Sequence, residues 1–145
     1  MRNYYTVVKT FPGATIEEME SYMVPTLNKN PDGLIIHCGT NNLRSDKPEE
    51  TAKKILNVAL TASRTVRSVA VSRILARGDS DVMESKRAHI NNLLERSLET
   101  HGIDFIKHEN FDENWQDLLY DDGIHLNQRG TNVLGGNIVK FLNSA

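Results

Sequence analysis

Apolar positions along the chain alternate between short dense runs and longer stretches with helical spacing. Tyr4 to Lys9 (YYTVVK) is β-branched and aromatic and predicts a strand, broken by Pro12-Gly13. Thr15 and Glu18 have the spacing of a capping box, in which hydroxyl and carboxylate satisfy unpaired N–H groups at a helix start. Ile16, Met19, Met23 and Leu27 follow on one helical face, and Pro25 should kink or end that helix. Asn30-Pro31-Asp32-Gly33 predicts a turn. Leu34-Ile35-Ile36-His37-Cys38 then predicts a strand apolar on both faces, as buried parallel strands are.

A second helix should start near Pro48 and bury Ala52, Ile55, Leu56, Ala59, Ala62, Ser63 and Val66. Ser68 to Leu75 predicts the third strand. Ala76 to Asp81 predicts a loop ending in Ser80 or Asp81 as helix cap. The helix that follows turns Ile90, Leu93, Leu94 and Leu98 inward and stops at Gly102. Ile103 to Lys107 predicts the fourth strand, His108 to Leu126 a long polar loop, and Val133, Leu134, Ile138, Phe141 and Leu142 a last helix. Four strands alternating with helices imply βαβ units, a parallel sheet and helices on both faces, a three-layer α/β/α architecture. Such sheets bind ligands beyond the carboxyl ends of their strands. The segments leaving those ends are Thr10–Ala14, Gly39–Lys47, Ala76–Asp81 and His108–Leu126.

Composition narrows the classes. The length of 145 residues suits one domain spanning 1–145. Lys plus Arg is 17 against 19 for Asp plus Glu, a net charge of −2, which speaks against strong non-specific nucleic-acid binding. The single cysteine, Cys38, allows no intramolecular disulfide and no cysteine zinc site. No apolar run approaches the ~20 residues of a membrane span, and the N-terminus lacks an apolar signal core. The expectation is an intracellular, cytoplasmic protein with no membrane partner.

Two of the strand-end segments carry candidate chemistry. Gly39-Thr40-Asn41-Asn42 follows a buried strand directly, and its carboxamides can donate N–H groups to a developing oxyanion. In Asp122-Gly123-Ile124-His125 the carboxylate stands three residues before the imidazole, a spacing that lets it orient the ring of a general base. Asp121, Asp122 and His125 are weak candidates for a divalent metal, and no other cofactor signature is present. Arg44, Arg77 and Arg129 are candidates to attract an anionic substrate. His37 reads as a hydrogen-bonded strand residue, and His89, His101 and His108 read as exposed or at element ends.

In this order the motifs resemble those of the SGNH (GDSL-type) hydrolase family, over nearly the whole chain. The family's Gly-x-Asn-Asp block matches Gly39-Thr40-Asn41-Asn42, with asparagine at Asn42 where aspartate is usual. Its Asp-x-x-His block matches Asp122 to His125, followed by Leu126 and Gly130, and its second-block glycine matches Gly13. A subgroup the chain looks especially like is the esterase-type domain of animal LINE-type retrotransposons and their domesticated relatives. The resemblance implies a flavodoxin-like fold, with His125 as base, Asp122 as its orienter, and Asn41 and Gly13 as oxyanion donors. Gly39, Thr40, Asn42, Arg44 and Arg77 would line the substrate site, for which small carboxylic esters or, given the nearby arginines, phosphoesters including nucleic acids are the expected substrates.

One departure is large. The family's Gly-Asp-Ser block and first strand belong upstream of Tyr4, where three residues stand, so the nucleophilic serine and the usual first strand are expected to be missing. Gly78-Asp79-Ser80 is not a substitute, because Ser80 reads as a helix cap. Thr10 and Thr15 are weak candidates, since a threonine needs an adjacent base. Two readings follow. One is a slow hydrolase in which His125 activates water. The other is a catalytically silent binding or assembly module, with nucleic acid a weak partner. A missing strand leaves edges that tend to associate. Tyr4–Lys9 should then pair directly with Leu34–Cys38, or a second copy should fill the gap, and a homodimer is favoured.

Overall fold

The computed structural model describes residues 4–144. Helix α1 (Ile16–Tyr22) opens on the expected capping box, with Thr15 accepting from the Glu18 N–H and Glu18 accepting from the Thr15 N–H. Pro25 sits in the first turn of a separate short helix α2 (Val24–Leu27). Strand β1 (Gly33–Ile36), helix α3 (Pro48–Ser63), strand β2 (Ser68–Ser72), helix α4 (Asp81–Thr100) and strand β3 (Asp104–Ile106) form two successive βαβ units. The three strands lie parallel in the order β1-β2-β3, with Leu34 opposite Val69 and Val71 opposite Phe105. Helices α5 (Glu109–Leu118) and α6 (Gln128–Ser144) complete the chain.

Alternation along the strands assigns the two faces of the sheet. Leu34, Ile36, Val69, Val71 and Phe105 join Ile55, Ala59, Ala62, Ile90, Leu94 and Leu98 of α3 and α4 in one core. Burying each large aliphatic side chain there contributes about 1.5–3 kcal/mol. The opposite face carries Ile35, Ala70 and Ser72 and meets α6, whose Asn137 bonds to His108 and through it to Ser72. Val133, Leu134, Ile138, Phe141 and Leu142 form the apolar stripe of α6, and all five are only half-buried.

Two expectations change and a third is narrowed. Tyr4–Lys9 forms no strand and does not pair with β1; it runs exposed, with Tyr5 97% and Val8 78% accessible. Composition gives a β tendency, but a strand exists only where an edge receives it. The long polar loop at 108–126 contains α5, whose helical period is interrupted at Asn114 (φ −129°, ψ 26°). His108 stands at an element end, as the residue capping the start of α5, and is buried there. Its left-handed backbone (φ 49°) turns the ring inward, leaving the residue 5% accessible.

Candidate active site

The segments after β1, β2 and β3 are joined at the carboxyl end of the sheet, together with the turn at 11–14, which follows no strand. Phe11-Pro12-Gly13-Ala14 closes a turn, the Ala14 N–H donating to the Phe11 carbonyl at 3.1 Å. Proline second and Gly13 third, at φ +76°, suit the central positions of this turn. Gly39 follows β1 at φ +118°, and a Cβ there would stand 2.9 Å from Ile74 Cδ1 and 3.0 Å from Ile55 Cδ1. Only glycine makes this bend, which starts a single 3₁₀ turn over Thr40–Asn42.

The two asparagines of that turn part company. Asn41 is exposed, and its Nδ2 donates one hydrogen to the Ala14 carbonyl at 2.9 Å. Its second hydrogen has no partner among the described residues and remains available to an incoming oxygen. Asn42 is 1% accessible. Its Oδ1 accepts from the Ile16 N–H at 2.9 Å, and its Nδ2 donates to Glu17 and Asp46, each at 2.9 Å. Asn42 therefore fastens the start of α1 to the loop after β1 instead of presenting itself to a substrate. Asp46 also holds Lys54 at 2.7 Å, and that bond lowers the Asp46 pKa.

Asp122 and His125 meet as their spacing predicts. Asp122 Oδ2 lies 2.5 Å from His125 Nδ1, while Oδ1 accepts from the Ile124 and His125 N–H groups at 2.9 and 3.0 Å. The His125 hydrogen bond, followed by these two backbone donors, pulls the Asp122 pKa down to about 2. A carboxylate this firmly ionised keeps the proton of His125 on Nδ1 and leaves Nε2 as the acceptor. The imidazole itself is 75% exposed. Its loop is closed by the Tyr120 N–H on the His125 carbonyl (2.8 Å) and by a Leu119–Leu126 bridge.

The two motifs are joined through the loop after β2. The Gly78 N–H donates to the Gly123 carbonyl at 2.7 Å, and a Cβ on Gly123 would stand 2.7 Å from the Gly78 backbone. A Cβ on Gly78 would in turn meet the Trp115 ring at 2.1 Å, so ring and two backbones stack in direct contact. Arg77 clamps this layer to the first motif. Its Nη1 donates to the Thr40 carbonyl at 3.2 Å, and Nε and Nη2 grip Asp79 at 2.9 and 2.7 Å. That grip lowers the Asp79 pKa, with a smaller pull from the charge of Arg44. Arg77 is thus occupied within the protein. Arg44 is exposed and has no ion pair among the described residues.

The residues considered as alternatives also find places. Ser80 Oγ accepts from the Met83 N–H as the cap of α4, and Thr15 caps α1. Among the described residues no group of three or more His, Cys, Asp or Glu side chains is arranged to hold a metal, Asp121, Asp122 and His125 included. A second polar cluster escaped the sequence reading. Ser72 Oγ lies 2.8 Å from His37 Nδ1 and 2.6 Å from His108 Nε2, and Asn137 Nδ2 donates to His108 Nδ1 at 3.0 Å. With Nδ1 accepting, His108 carries its proton on Nε2, so the hydroxyl of Ser72 donates onward to His37. Desolvation, then the neighbouring His37 and Arg73, pushes the His108 pKa down to about 4. The signal for this cluster was one polar residue at the end of each strand, legible only once the register is known.

The model of the GDSL-like lipase/acylhydrolase family matches residues 1–133. No curated protein shows significant sequence similarity to the chain. Among solved structures, the chain is similar to LAE5, an α/β hydrolase from the metagenome of Lake Arreo, Spain, with 20% identity, TM-score 0.75, and 88% of this chain and 67% of that one covered. It is similar to a lipolytic G-D-S-L family protein from Veillonella parvula at 17% identity and TM-score 0.76, covering 88% of this chain and 74% of that one. It is also similar to Axe2, an acetylxylan esterase from Geobacillus stearothermophilus, at 16% identity and TM-score 0.75, covering 88% and 67% of the two chains. At these identities the likeness is one of fold. Catalytic mutants of Axe2 replace a serine, an aspartate and a histidine, the last two three positions apart. No helix among the described residues is long and apolar enough to cross a membrane.

Proposed function

The chain belongs to the GDSL-like lipase/acylhydrolase family, and from that premise we propose that it hydrolyses carboxylic or phosphoric esters slowly, with water as the nucleophile. The reading rests on one observation: His125 is held by Asp122 through Nδ1 and turns a bare Nε2 to solvent. Nε2 takes a proton from water as its oxygen attacks the ester carbonyl carbon. Negative charge gathers on the former carbonyl oxygen, where the free Nδ2 hydrogen of Asn41 and the N–H of Gly13 are the donors. The tetrahedral adduct expels the alcohol oxygen, and His125 returns the proton to it, leaving acid and alcohol. Asp122 stabilises the transient imidazolium. Arg44 draws an anionic ester or phosphoester toward the site. Water fits as the nucleophile because the hydroxyls of Thr15 and Ser80 are engaged as helix caps, and the exposed Thr10 has no base bonded to it among the described residues. Without a covalent intermediate the rate should be low. One reduced cysteine, Cys38, suits a cytoplasmic setting.

A panel of short-chain nitrophenyl esters and a phosphodiester, with and without divalent metal, tests this. His125→Ala should reduce turnover to the solution rate, and Asp122→Asn should reduce it by about 100-fold. The openness of the imidazole favours a second reading, a silent binding or assembly module. Its likeness to retroelement esterase-type domains makes nucleic acid the ligand to try, although the charge of −2 works against affinity. No turnover above that of the His125→Ala variant on any ester would leave the second reading standing.

A further inference from the structure

The outer edge of β1 and the N-terminal segment are two halves of an unmade pairing. Among the described residues β1 bonds only to β2, and its residues Gly33 and Ile35, with His37 just beyond, direct their N–H and C=O groups away from that partner. The other edge is short and flanked by charge, Asp104 opening β3 and Lys107 following it, which is how edges are kept from associating. Gly33–Ile36 has no charge at all. Tyr4 to Lys9 is apolar on both of its faces, lies exposed, and makes no backbone hydrogen bond among the described residues.

We infer that a second copy of this chain supplies the missing pairing: residues 4–9 of each protomer add antiparallel to β1 of its partner, in a closed two-fold exchange. Charge selects the direction. With Tyr4 opposite His37, Lys9 falls opposite Asp32, and neither of these exposed groups has an ion-pair partner among the described residues. A parallel strand would set Lys9 beside His37 instead. This register also puts Tyr4, Thr6 and Val8 opposite His37, Ile35 and Gly33, the β1 residues whose backbone is free.

Reach selects the partner. In this register Lys9 sits at the start of β1, while Ala14 is bonded to Asn41 beyond its end. From Asp32 to His37 the strand measures about 17 Å. Two residues and one tight turn, Lys9 to Phe11 to Ala14, span less than about 14 Å. A single chain cannot close that distance, and two chains need not.

Light scattering at micromolar concentration should give twice the monomer mass. Lys9→Asp sets two acid pairs face to face in the dimer and should weaken it by about tenfold, and Lys9→Asp with Asp32→Lys should restore it. Both positions are exposed, so circular dichroism of the variants should be unchanged. With Cys38→Ser as background, Val7→Cys with Leu34→Cys should form a reducible bond between chains. A monomer, an open-ended series of larger species, or a dimer indifferent to Lys9→Asp overturns the inference.

Discussion

On one side of the sheet Ile55, Ala59, Ile90 and Leu94 are wholly out of solvent, interlocked with Leu34, Val69 and Val71. On the other, Leu134, Ile138, Phe141 and Leu142 of α6 are half-covered. That second side buries Ile106, Phe111 and Leu118 and adds polar contacts, the Ser72–His108–Asn137 chain and the paired carboxamides of Asn137 and Asn110. The difference separates two jobs. The α3–α4 side supplies most of the apolar stabilisation. The helix α6 itself is half-covered and is oriented by directional bonds, which add about 1 kcal/mol each.

Core truncation separates the sides most widely. Leu94→Ala should cost about 2–5 kcal/mol, and Ile138→Ala about 1 kcal/mol, read by urea unfolding. Equal losses would mean that the two sides are packed alike. Acid should then single out the polar side. His108 titrates near 4 in the folded chain against 6.5 for a free imidazole, so below pH 6.5 the unfolded chain takes up the proton first. Stability should fall as pH drops from 6.5 to about 4, by roughly 3 kcal/mol in all. His108→Gln should flatten that slope in unfolding curves taken across the window, and an unchanged slope would place the proton elsewhere. The smallest effect belongs to an element terminus. Ser80→Ala should lower the melting free energy by about 1 kcal/mol without altering ester turnover, which also separates its hydroxyl from the chemistry.

Local signals carried much of this architecture in the sequence. Thr15 with Glu18, Ser80, Pro48 and Gly102 mark helix ends through chemistry confined to one turn, and the structure uses each of them there. The apolar runs at 68–75 and 103–107 contain β2 and β3, and the run at 34–38 overlaps β1, which starts one residue earlier at Gly33 and ends at Ile36, because a dense apolar run marks a strand without partner-specific code. The contact of Asp122 with His125 was legible for the same reason, being set by three residues of spacing. Tyr4–Lys9 was misread because β composition cannot say whether an edge will be there. The separation of Asn41 from Asn42 was also out of reach, since what buries Asn42 is the Ile16 N–H arriving from 26 positions away. Arg77 met its partner Asp79 two residues on, and that pairing withdrew it from the list of free cations.

The seam between Gly78 and Gly123 has a consequence for how this corner changes over evolutionary time. Main chain lies directly on main chain there, with Trp115 closing one side. No rotamer exists at that seam to absorb an error, so the segment carrying the imidazole is seated by shape together with one backbone hydrogen bond. Drift in the surrounding residues can alter what the corner recognises, while the tilt of the ring stays tied to two positions that admit no larger amino acid.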